Sequence, residues 1–189
     1  MIMINCIQTF TGQHFDIQYP DFQIIDIRDI AHALSLKCRF NGHCKTFYSV
    51  AEHSVRVSMV SIQCHKLWAL LHDSAEAYLP DIPSPVKFLF PEISVMEFNI
   101  LNALSMKYNL PPYHQSQIHI PDKILLATEA RDLMPHPDTF DCEGCEPLLK
   151  TIVPFTPHQA ETAFLNAFHL LTNYKYINHD NHPQFRRRM

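Results

Sequence analysis

His72 and Asp73 stand side by side in the stretch LWALLHDSAEAYL, which is otherwise apolar at nearly every position, and Glu76 follows one helical turn later. A helix that is apolar all round is a buried helix. Burying even a neutral polar group without a partner costs roughly 2–7 kcal/mol, and a lone carboxylate costs more or takes up a proton. A cation is therefore required beside this pair. The nearest basic residues in sequence, Lys66 and Lys87, lie one before the helix and one beyond a proline-rich loop. A divalent ion would satisfy an imidazole and a carboxylate together, and neutral imidazole with oxygen ligands suits Mn, Fe, Co, Ni, Zn or Mg.

Two further segments offer ligands. His53 lies on the apolar stripe Val50, His53, Val57 and Val60, where a lone histidine would ordinarily be a core residue bonded to a carbonyl. Asp122, after Pro121, would by itself be an acidic residue favoured by the dipole at a helix N-terminus. The coincidence of both with the buried His-Asp pair points to a metal set of His53, His72, Asp73 and Asp122. Glu76, on roughly the same face as the pair, suits general acid/base work beside such an ion. In CRFNGHC, Arg39 and His43 provide donors that match phosphate oxygens, a candidate anion clamp ahead of the His53 helix. Asp81, in LPDIPSPVK, reads from sequence alone as a turn residue.

The elements that must position these residues are helices. Three glycines against fourteen prolines, with the prolines set between apolar periodic stretches, is the punctuation of helices stopped by loops. The spacing predicts a first helix from Asp26 that ends near Asn41-Gly42. A second should run from a Ser49…Glu52 capping box to about Gln63, and a third from about His65 to Leu79. Further helices are expected at about Glu92 to Tyr108, Pro121 to Leu133, and Pro157 to Tyr174, the last capped by Thr156. Residues 1–25 form an extended or hairpin lead-in, residues 26–175 one all-α domain folded as a single compact helical bundle, and residues 176–189 a polar, basic tail.

Composition narrows the function classes. At 189 residues and 47% hydrophobic content the chain can bury one substantial core. A formal net charge of -4 argues against a nucleic-acid polymer as ligand, and the one basic run, Arg186, Arg187 and Arg188, is terminal. No stretch has the length and apolarity of a membrane span, and the first ten residues lack an export pattern, so a cytoplasmic protein is expected. Of six cysteines, Cys142 and Cys145 form a single C-x-x-C pair, weak grounds for zinc without a second pair.

As a set, these motifs resemble the HD superfamily of metal-dependent phosphohydrolases, whose signature is a histidine, a His-Asp pair and a distant aspartate on helices. FYSVAEHS, LLHDSAEAYLPDIPSPVK and IPDKILLATEARDLM are similar to bacterial 5'-deoxynucleotidases and to phage and prophage HD phosphohydrolases, among them deoxyadenosine triphosphate hydrolases. The similarity spans roughly residues 26 to 134. The resemblance implies one divalent ion on His53, His72, Asp73 and Asp122, with Glu76 acting on the water or the leaving group. It further implies Arg39 and Lys87 as phosphate contacts, Asp81 as a sugar contact or catalytic helper, a small-molecule nucleotide substrate and a homo-oligomer. One position departs: the deoxynucleotidases carry tryptophan after the arginine, where this chain has Phe40, so the sugar preference stays open. Mono- and triphosphate substrates stay open too. A nucleotide sensor that keeps the metal without turnover is the alternative, and a zinc-stabilised module built on Cys142 and Cys145 a third reading.

Overall fold

Side-chain caps written in the sequence open three of the seven α-helices among the described residues. In the computed structural model, which describes residues 6–180 and the side chains of residues 6–173, Asp26 caps helix α1 (Ile27–Leu36) by accepting from the Arg28 amide at 2.8 Å. Ser49 caps α2 (Val50–Val60) by accepting from the Glu52 amide at 3.1 Å. Thr156 and Gln159 exchange reciprocal bonds at the start of α7 (Pro157–Asp180). Between these lie α3 (Lys66–Leu71), α4 (Ser84–Leu89), α5 (Glu92–Lys107) and α6 (His119–Leu133). The described residues thus form a mostly helical compact domain, and none of their helices is long and apolar enough to cross a membrane.

The lead-in holds a short antiparallel hairpin, β1 (Cys6–Gln8) with β2 (His14–Asp16), in the register Ile7 to Phe15. It belongs to the core, since Phe15 is fully buried and stacks on Tyr78 at 3.8 Å. Asp29 of α1 ties its turn by accepting from the Thr11 amide and hydroxyl at 2.6 and 2.9 Å.

α2 is the central helix, packed against α1, α3, α6 and α7. Its apolar residues Val50, Ala51 and Val55 meet Ile30 and Leu34 of α1 and Phe164 of α7 in the main core, while Val57 meets Leu125 of α6 in a smaller one. His53 therefore sits at the middle of the molecule.

Three expected elements are corrected. The first helix stops at Leu36 instead of running to Asn41-Gly42, because residues 37–39 are extended and pair with 48–50. The capping box is only half formed, since the buried Glu52 carboxylate accepts instead from Arg56 at 2.6 Å and from the Phe155 amide at 2.7 Å. The helix expected over His65 to Leu79 breaks at His72-Asp73 and continues as a 3-10 turn over Ser74–Ala77. No glycine or proline announces that break. The basic run 186–188 lies outside the described residues.

Candidate metal centre

Adjacent residues on an unbroken helix point about 100° apart and do not face one another. The turn at Asp73 removes that restriction and brings its Oδ2 to 3.2 Å from His72 Nε2. His72 Nδ1 donates to the Ala69 carbonyl at 2.7 Å, which leaves Nε2 as the free acceptor. His53 repeats the device across the core: Nδ1 donates to Glu129 Oε1 at 2.7 Å, and Nε2 lies 3.4 Å from His72 Nε2. The tautomer of each ring is fixed by the partner of its other nitrogen. Asp122, from the first turn of α6, places Oδ1 3.2 Å from His53 Nε2.

These spacings fit a shared ion. Donors about 2.1 Å from one metal and at tetrahedral or right angles lie about 3.0–3.4 Å apart. His53 Nε2 meets that spacing with His72 Nε2 at 3.4 Å and with Asp122 Oδ1 at 3.2 Å, and the donor atoms of all three residues lie within 4.8 Å of one another. Asp73 stands at the edge of the set, 3.6 Å from His53 Nε2, because its Oδ2 also faces Arg39 Nη1 at 3.6 Å. Two imidazoles and two carboxylates suit a first-row transition ion better than calcium.

The electrostatics follow from burial and pairing. Burial and Arg39 oppose a charge on His53, but Glu129 and Asp122 outweigh them and raise its pKa to about 10. Burial opposes ionisation of Asp122, yet the His53 hydrogen bond and charge bring it down to about 2. Asp73 is likewise held well below the usual carboxylate range, against its burial, by His72, His53 and Arg39. Glu76 goes the other way: burial, then the neighbouring Asp73 and Asp81, push it up to about 9. Its Oε2 is buried with no hydrogen-bond partner among the described residues.

A cavity of about 880 Å³ opens beside the cluster, lined by Asp73, Glu76, Asp81, Lys87 and Asp122 among others. Phe40 and Phe140 meet edge to face at its rim, ring centroids 5.5 Å apart, and the Arg39 guanidinium lies 5.3 Å from the Phe40 ring.

A protein from Escherichia coli (strain K12), the uncharacterized protein YfdR, is 39% identical over 172 residues, which is 89% of this chain and 97% of YfdR. The chain belongs to the YfdR family. An uncharacterized protein of Rhodobacter capsulatus is 33% identical over 111 residues, 53% of this chain and 57% of that protein. No protein-family model matches the sequence.

In this YfdR-family chain the fold gathers eight of the nine residues named from the sequence or from its family resemblance at or beside one cavity. His53 lies behind the other candidate ligands, fully buried. Arg39 lines the cavity but is already committed, 3.1 Å from Glu129 and 3.6 Å from Asp73; burial opposes its charge, yet these carboxylates hold its pKa above the ordinary value. Lys87 reaches the cavity paired with Glu97 at 2.7 Å. Burial raises the Asp81 carboxyl, and Asp73 adds to that. His43 is the exception. Phe40, Asn41 and Gly42 all take positive φ, 54°, 54° and 80°, and the turn they make leaves His43 exposed and off the cavity wall.

Glu129 was not singled out by sequence. Fully buried, it accepts from His53 and pairs with Arg39, and these two cations lower its pKa against its burial. A signal existed, since Asp122, Leu125 and Glu129 share one face of α6 at spacings of three and four.

Proposed function

We propose that this chain is a divalent-metal-dependent phosphohydrolase of HD type acting on the 5'-phosphate or triphosphate of a nucleotide. The observation that carries the reading is the pair of imidazoles whose Nδ1 atoms are tied down, so that both Nε2 atoms converge with Asp73 and Asp122 at 3.2–3.6 Å beside the cavity. An ion held by His53, His72, Asp73 and Asp122 would supply Lewis acidity, polarising a phosphoryl oxygen and the attacking water.

The chain's own groups do the rest. Arg39 and Lys87 face the cavity as phosphate donors, and a phosphate would draw each away from a carboxylate that now holds it. Glu76, whose Oε2 has no protein partner and whose raised pKa keeps it protonated near neutral pH, delivers that proton to the leaving oxygen. Phe40 and Phe140 offer an apolar rim to a sugar or base. The intact Glu76 favours turnover over a sensor that only binds, because a carboxyl poised to give up a proton beside the candidate ion serves a reaction and adds nothing to holding the metal.

A panel of mono-, di- and triphosphates of deoxy- and ribonucleosides, each with Mn, Co and Mg, tests the reading. We expect turnover with at least one nucleotide, lost on chelation. Glu76→Ala should keep metal and nucleotide binding while turnover falls by about 10²–10⁴-fold. Binding without turnover by the wild type would favour the sensor.

A further inference from the structure

Residues 37–39 are extended, held to residues 48–50 by Arg39 N to Tyr48 O at 2.9 Å and Val50 N to Lys37 O at 3.0 Å. Side chains two apart on extended backbone leave on the same side. Arg39 goes to Asp73 and Glu129, and Lys37 goes to the next segment of the same site. Its Nζ donates to the Glu76 carbonyl and to the Leu79 carbonyl, the latter at 2.6 Å.

These carbonyls lie where the backbone runs short of donors. The helix has broken at Asp73, the 3-10 turn lasts four residues, and the chain then meets Pro80, Pro83 and Pro85, which have no amide hydrogen. Glu76 carries one of the pinned carbonyls, and Asp81 follows the other by two residues. Both carboxylates line the cavity, whereas Lys37 does not. Burial works against the charge of Lys37, which Glu76 and Asp81 partly restore.

We propose that Lys37 is a positioning residue of the site: by holding the carbonyls of Glu76 and Leu79 it fixes where the Glu76 and Asp81 carboxylates stand in the cavity, and it touches no substrate. Its effect on turnover rests on the role given to Glu76 above, whereas the pin itself does not.

Lys37→Met keeps the apolar stem and removes the donors, and Lys37→Arg restores them. Metal content, kcat and KM on the best nucleotide of the panel, global unfolding, and amide exchange over residues 74–81 are measured for each. For Lys37→Met we expect metal content and KM near wild type and kcat lower by about 10–100-fold, the scale of a small misplacement of a reacting group. Exchange should quicken over residues 74–81 alone, and Lys37→Arg should recover most of kcat. Wild-type kcat with wild-type exchange in Lys37→Met overturns the proposal. So does a joint fall of kcat, metal content and global stability, the mark of a merely structural lysine. If the wild type turns over no nucleotide, the functional reading fails alone. Local quickening of exchange would then still uphold the pin, and unchanged exchange would sink it.

Discussion

On one side of the cavity stand α2, the turn after α3 and α6, where His53, Glu52 and Glu129 are fully buried and Glu76 nearly so. On the other side runs α4, which buries no residue at all and leaves Phe88 86% and Leu89 69% exposed. The first wall carries ionisable groups that only a rigid, desolvated frame can hold in register: His53 is bonded to Glu129 and Glu52 to Arg56 and the Phe155 amide. The second carries Lys87 and Asp81 on a segment with little packing of its own. Low-packing segments open locally at small cost in free energy, and binding elements are drawn from them. On the proposed reading, the rigid wall would set the geometry of the ion and the loose one would add Lys87 as a substrate contact.

The strongest way to break that division is Asp73→Ala. It removes a proposed ligand and one of two carboxylates facing Arg39, so bound metal and turnover should both disappear. Metal analysis after gel filtration with a rate measurement decides it, and a full rate at wild-type metal content would end the assignment. Glu129→Gln probes the same wall one layer back. The His53 ring keeps an acceptor but loses the charge behind it, so metal affinity should fall about 10–100-fold. Arg39 loses a buried partner as well, and urea unfolding should show a loss of roughly 3 kcal/mol. Unchanged affinity would mean that Glu129 only neutralises Arg39.

The same wall dictates how metal binding responds to pH. His53 has a pKa raised to about 10, so below that value an incoming ion must displace a proton from the ring. Metal affinity should therefore rise with pH between about pH 6 and 8, with about one proton released per ion. The sign for stability is consistent. A raised histidine pKa stabilises the metal-free fold below the unfolded value near 6.5, and that contribution fades as pH climbs towards 10. Calorimetry in buffers of different ionisation enthalpy measures the release. Uptake of protons, or none, would show that His53 is not where the ion binds.

How far the sequence foretold these walls differs between them in an instructive way. Asp26, Ser49 and Thr156 announce their helices through local hydrogen bonds, and local chemistry is readable from one chain. His53, His72 and Asp73 stand out in the sequence because each puts a polar group where an apolar pattern demands none, and Asp122 stands out only by its coincidence with them. The break at His72-Asp73 was not, since Leu70, Leu71, Ala75 and Leu79 continue an apolar pattern that either geometry satisfies. Lys37 was hidden for a related reason, since its partners lie 39 and 42 positions away and nothing adjacent in sequence marks it, while Glu129, 76 positions from His53, was marked only by its helical spacing from Asp122 and Leu125. His43 misled because the left-handed turn over residues 40–42 is a backbone property that Phe40 does not advertise.

Lys87→Met sharpens the comparison from the loose side. α4 has no buried residue to disturb, so the melting temperature and metal content should stay at wild-type values. KM for the preferred nucleotide should rise several-fold, by about 1 kcal/mol of lost phosphate contact, with kcat nearly unchanged. An equal fall in kcat and kcat/KM would instead place Lys87 on the group that gains charge during the reaction, and would make the outer wall catalytic.

The smallest effect is expected farthest from both walls, at Cys142 and Cys145. They flank a tight turn in which the Cys145 amide donates to the Cys142 carbonyl at 2.9 Å and Glu143 and Gly144 take positive φ. Both thiols are free and half-buried, and burial raises that of Cys142, which makes it a poorer metal ligand. The loop is tied to α6 by other groups: Glu143 pairs with His119 at 2.7 Å and Lys123 at 3.0 Å, and Lys123 also donates to the Asp141 carbonyl at 2.9 Å. Among the described residues, neither thiol joins a cluster of three or more groups able to hold an ion. Replacing both cysteines by serine removes no ligand and no anchor, so stability should change by about 0.5 kcal/mol or less, with turnover and metal content at wild-type values. Loss of one zinc per chain together with unfolding would show that the loop, and not the buried cluster, is where this protein keeps its metal.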